Sequence, residues 1–79
     1  IEVDGVSWVA GRSPENPLVE VKVRYRSDPV GARISAVSRG RWLVAFDDPQ
    51  ERPAAGQSAV FYRGDEVLGG GTIETAPAA

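Results

Sequence analysis

The chain has 79 residues and lacks both cysteine and histidine, which excludes disulfide staples, thiolate zinc sites, a cysteine nucleophile and imidazole chemistry within these residues. Its net charge is −2 with 42% hydrophobic residues, and a chain of this size makes a single domain, residues 1–79, that buries roughly 60% of its unfolded surface. No apolar run approaches a membrane span and Ile1 begins no signal segment, so the chain reads as a soluble cytoplasmic piece of a longer protein with no membrane partner.

Short runs of valine, isoleucine and aromatic residues follow one another between clusters of glycine, proline, aspartate and serine, and none has helical periodicity. The first predicted strand is Val3 to Val9, followed by a loop from Gly11 to Pro17. Next, Val19, Val21, Val23 and Tyr25 alternate with Glu20, Lys22, Arg24 and Arg26, the period of a strand with one buried and one solvated face. Ala32 to Val37 and Arg41 to Phe46 form a predicted hairpin about Ser38-Arg39-Gly40, with Gly40 supplying the positive φ. Ile34, Ala36, Trp42, Val44 and Phe46 are its expected core residues. A loop from Asp47 to Gly56 leads to strands Ser58 to Tyr62 and Val67 to Ile73, joined at Gly64, and residues 75–79 are expected to fray. This spacing predicts an all-β fold: a small closed or partly open antiparallel β-barrel of about six strands, or a sandwich.

Charge gives the first functional signal. Between Val21 and Arg41, the bases Lys22, Arg24, Arg26, Arg33, Arg39 and Arg41 face one acid, Asp28, a segment charge of +5 in an acidic chain. Alternation puts Lys22, Arg24 and Arg26 on one strand face, with Arg33 joining them if the next strand pairs in register. Such a stripe suits phosphates, and guanidinium groups bind them in bidentate fashion. A charged outer face is equally ordinary for a solvated sheet, and acids on a partner domain would match it as well.

Other constellations have plainer readings. Asp47-Asp48 precedes Pro49 without a histidine partner and reads as a turn rather than a catalytic or metal-binding pair. Gly69-Gly70-Gly71 lacks the spacing of a phosphate-binding loop, and reads as a strand segment that admits another backbone or a bulge. Arg63-Gly64-Asp65 reads as a hairpin turn rather than an adhesion motif. Trp8 is expected to fill the core or cap one barrel end, with base stacking as the alternative.

Several blocks in order carry a family resemblance: Val6-Ser7-Trp8, Val21 to Arg26, Phe46-Asp47-Asp48-Pro49-Gln50, Gly56-Gln57-Ser58-Ala59-Val60-Phe61-Tyr62, and Val67-Leu68-Gly69-Gly70-Gly71-Thr72-Ile73. Together they resemble the C-terminal domain of bacterial tRNA-specific 2-thiouridylases over residues 3 to 74. Ala55 departs from the proline common there, which loosens a turn without touching a proposed contact. The resemblance implies a barrel like the second domain of elongation factor Tu, in an enzyme that activates a tRNA wobble uridine with ATP and replaces its oxygen with sulfur. ATP and a persulfide sulfur donor are implied for that whole enzyme. No cofactor, metal or catalytic residue is implied for this chain, because no position matches the family's nucleotide loop or catalytic cysteines. The implied partners are tRNA and the enzyme's own N-terminal and central domains. The implied role is tRNA contact through the basic residues, giving affinity rather than base specificity; the alternative is a docking module without RNA affinity of its own.

Overall fold

Apolar side chains at every second position, as at Val19, Val21 and Val23, favour extended backbone with one face buried. The computed structural model describes residues 1–23, 28–48 and 53–74. Within them lie six strands and no helix: β1 (Glu2–Trp8), β2 (Leu18–Lys22), β3 (Val30–Ser38), β4 (Arg41–Phe46), β5 (Ser58–Arg63) and β6 (Glu66–Ile73). Around the barrel they run β1-β4-β3-β2-β5-β6, and β6 closes back onto β1. Every neighbouring pair is antiparallel. The β2–β3–β4 meander with β1 beside β4 makes a Greek key.

The inward residues are those the alternation picks out. Val19 and Val21 of β2 meet Ala32 and Ile34 of β3, Val44 of β4, Ala59 and Phe61 of β5, Val3 of β1 and Ile73 of β6, all buried. Trp8 caps this core, edge-on to Trp42 at a centroid distance of 5.2 Å and stacked on Phe61 at 5.3 Å. Trp42 and Phe46 are half-buried against the core as expected, whereas Ala36 is exposed. Ala36 faces Trp42 at the last regular pair before the ladder slips toward Ser38, so it stands at the barrel mouth, beyond the packed layer.

The three glycines of β6 explain how the barrel closes. A β-carbon at Gly69 would run into the Ser7 carbonyl oxygen and the Trp8 ring. One at Gly71 would lie 2.5 Å from the Asp4 carbonyl oxygen and 2.8 Å from Val3 Cγ1. These glycines thus let the β1 backbone and the indole lie directly on β6. A register slip opposite Phe61 and Tyr62 leaves Leu68 unpaired just before them, and a second slip falls between Asp4 and Ser7 of β1. Bulges of this kind bend strands round a small barrel.

Gly40 and Gly64 take φ of 75° and 60° in the two tight turns, so Arg63-Gly64-Asp65 is a hairpin corner. Asp47 and Asp48 form a bend after β4, where the Asp47 amide donates to the Gly31 carbonyl at 3.0 Å. β2 ends at Lys22, one residue short of Val23, which is buried but outside the strand; the rest of its expected continuation, Arg24 to Arg26, lies outside the described residues, as do residues 75–79. No helix among the described residues is long and apolar enough to cross a membrane.

Candidate nucleic-acid interface

Lys22 is the last residue of β2, on the outer face with Leu18 and Glu20, and its neighbour on β5 is Val60. Arg24 and Arg26 follow in sequence and lie outside the described residues. Arg33 is exposed on the outer face of β3, opposite Leu18 on one side and Ala45 on the other. Register therefore places Lys22 and Arg33 on the same wall of adjacent strands, with Glu20 of β2 standing between Lys22 and the Leu18–Arg33 pair. Arg33 does not sit directly beside Lys22.

The other two bases are elsewhere. Val21 faces Val30 at the foot of β3, and Ser38 lies at its far end, about 26 Å along an extended strand. Arg39 occupies the turn beyond Ser38 and so belongs to the opposite end of the barrel from Lys22. Arg41 opens β4 and is drawn to three carboxylates, Glu2 at 4.0 Å, Asp4 at 3.8 Å and Glu74 at 3.8 Å. β1 lies between β4 and β6, so the guanidinium reaches across the seam where the barrel closes. A phosphate there would meet three carboxylates around one cation.

Sequence reasoning missed Arg63, whose position at the end of a strand carried no signal of its role. Its Nη2 donates to the carbonyl oxygens of Asn16 at 3.0 Å and Leu18 at 2.9 Å, tying the loop between β1 and β2 to the β5–β6 hairpin. Glu20 Oε1 accepts from the Gly64 amide at 3.1 Å, a second tie to the same corner. Two concave regions flank Arg63: a cavity of about 260 Å³ between the loop and hairpin, and a shallower groove of about 230 Å³ beside β2. No group of three or more potential metal ligands occurs among the described residues. The described basic groups can bind anions.

The family model for the aminomethyltransferase β-barrel domain matches residues 1–73. Among curated proteins, the chain is 44% identical over 70 residues to the tRNA-specific 2-thiouridylase MnmA of Geobacillus thermodenitrificans, covering 87% of this chain and 19% of that protein. It is 48% identical over 67 residues to the Chloroflexus aurantiacus protein of the same name, covering 84% of this chain and 19% of the relative. For the Nostoc punctiforme protein, again of that name, identity is 42% over 73 residues, with 91% and 21% covered. The chain thus spans about a fifth of the length of these relatives, and aligns at their C-terminal end.

Proposed function

The chain belongs to the aminomethyltransferase β-barrel domain family, and from that premise we propose that it is the accessory C-terminal barrel of an ATP-dependent tRNA wobble-uridine 2-thiolating enzyme. The observation that carries this reading is the alignment of nearly all of the chain with the C-terminal fifth of tRNA-specific 2-thiouridylases. In such an enzyme ATP activates the uridine, and a persulfide supplies the sulfur that replaces its oxygen. This chain, with neither cysteine nor histidine, contributes no nucleophile to those steps. Its part is to help hold the tRNA.

The surface for that contact is the wall of Lys22 and Arg33, together with Arg24 and Arg26 from the segment after β2. Arg39 reaches RNA only as a separate contact at the other barrel end, and Arg41 is directed to its carboxylates. Side chains of this kind neutralise phosphates and set position, leaving base identity to be read elsewhere.

A titration with unmodified tRNA at two salt concentrations tests the reading, comparing the protein with a Lys22→Ala, Arg24→Ala, Arg26→Ala variant. The expected result is binding whose log affinity falls with log salt by roughly 0.7 to 0.9 per phosphate contact, with a shallower slope in the variant. A salt-independent affinity, or one the triple substitution leaves unchanged, would remove this surface from the account.

A further inference from the structure

Three of the five large apolar side chains exposed on the described surface gather round one arginine. Val9 is 76% exposed, Leu18 50% and Val67 45%. Val9 and Val67 line the larger cavity, Leu18 the groove beside β2, and Arg63 belongs to both. A lone surface valine needs no explanation, but apolar side chains grouped about preformed concavities mark a place of association.

Hydrogen bonds brace the loop and hairpin around the concavities. Besides the two bonds from Arg63 and the Glu20–Gly64 tie, the Val9 amide donates to the Leu68 carbonyl at 2.9 Å, and the Leu18 amide to Asn16 Oδ1 at 3.0 Å. Loop and hairpin are therefore positioned before any partner arrives, which lowers the ordering cost of binding.

Charge decides the class of occupant. Glu15 and Glu66 line the cavity and Glu20 and Asp47 the groove, against the guanidinium groups of Arg12 and Arg63, which makes two positive charges against four negative, −2 in all. Arg63 moreover turns Nη2 inward onto backbone carbonyls. A polyanion is repelled here, whereas a protein segment with apolar anchors and basic flanks is complementary. The relatives leave room for such a segment, since about four-fifths of each of them lies outside the matched region.

We propose that the paired concavities about Arg63 are the surface on which this barrel receives an apolar, basic-flanked segment of the preceding part of its own enzyme. The inference rests on the proposed reading of the chain as the C-terminal barrel of a longer protein. Lys22 and Arg33 line neither concavity, although the groove adjoins them: its Leu18 and Glu20 share the outer face of β2 with Lys22, and Leu18 is the register partner of Arg33.

The test uses the full-length enzyme with the photoreactive amino acid p-benzoylphenylalanine in place of Val9, irradiated without and with tRNA and mapped by mass spectrometry. The expected product is a crosslink from position 9 to a peptide preceding the barrel in the same polypeptide, formed without tRNA. The same amino acid at Val37, an exposed valine lining neither concavity, is expected to give no such product. Absence of the intrachain crosslink overturns the proposal, as does a crosslink at position 9 only to tRNA or to a second copy. A second readout is hydrogen exchange in the Val67→Asp enzyme, where amides of residues 10–16 are expected to exchange at least about tenfold faster; an unchanged rate counts against docking. The tRNA titration is independent of both. A failed crosslink with salt-sensitive tRNA binding intact removes the docking surface alone, while a crosslink without tRNA affinity removes the RNA-contact reading alone.

Discussion

Gly69 leaves no room for a methyl group, because its β-carbon position falls inside contact distance of the Ser7 carbonyl oxygen and of Trp8 Cε3. Gly69→Ala must therefore push β1 and the indole outward, and is expected to destabilise the domain by about 1 to 3 kcal/mol, read as a fall in the urea midpoint. Phe61 is fully buried and stacks on Trp8, so Phe61→Ala costs about 3 to 5 kcal/mol. Against a total of about 4 to 12 kcal/mol for a domain of this length, that variant is expected to show a strongly shifted or absent cooperative transition. The reading of the triple glycine as a close approach was available from sequence, since the residues stood inside a strand pattern without a following helix. The partner in that approach was not, because Trp8 lies some sixty residues earlier in the chain and nothing local names it.

β2 shows what alternation can and cannot determine at the scale of an element. Buried Val19 and Val21, alternating with exposed Leu18 and Glu20, follow directly from the period of two, and so does the outward aim of Lys22. Its pairing does not follow, because one neighbour is the adjacent β3 and the other is β5, nearly forty residues away. The expected limits of β4, Arg41 to Phe46, are the observed ones, with Gly40 punctuating its start and Asp47-Asp48 its end. The brace from Arg63 to the loop after β1 is a tertiary contact with no sequence signature. Arg63→Met keeps the aliphatic stem but removes both bonds to the Asn16 and Leu18 carbonyls. Residues 10–16 are expected to become more protease-sensitive in that variant, with the core strands unaffected; equal cleavage rates in both proteins would show that the brace is dispensable.

For the whole molecule, a charge run in the sequence became two dissimilar regions in space. The span of β3 carries the chain from one end of the barrel to the other, so bases close in sequence, Lys22 and Arg39, finish at opposite ends. Acids distant in sequence, Glu2 and Glu74, converge on Arg41 because β6 returns beside β1. Composition could reveal the +5 segment but not this redistribution, which depends on register. Arg41→Ala is accordingly expected to leave tRNA affinity and its salt slope unchanged, while lowering stability by less than about 1 kcal/mol at low salt, given the exposure of these groups. A loss of tRNA affinity on a par with that from substituting Lys22 would return Arg41 to the RNA surface.

The closing of β6 onto β1 carries one more consequence. Each described strand is hydrogen-bonded on both flanks, so the described sheet offers no open rim where a foreign peptide could add itself as another strand. Recruitment by backbone pairing, and the runaway stacking or exchange of strands between copies that an open rim invites, are thereby closed off. Recognition by the described ring of strands therefore falls to its side chains and loops.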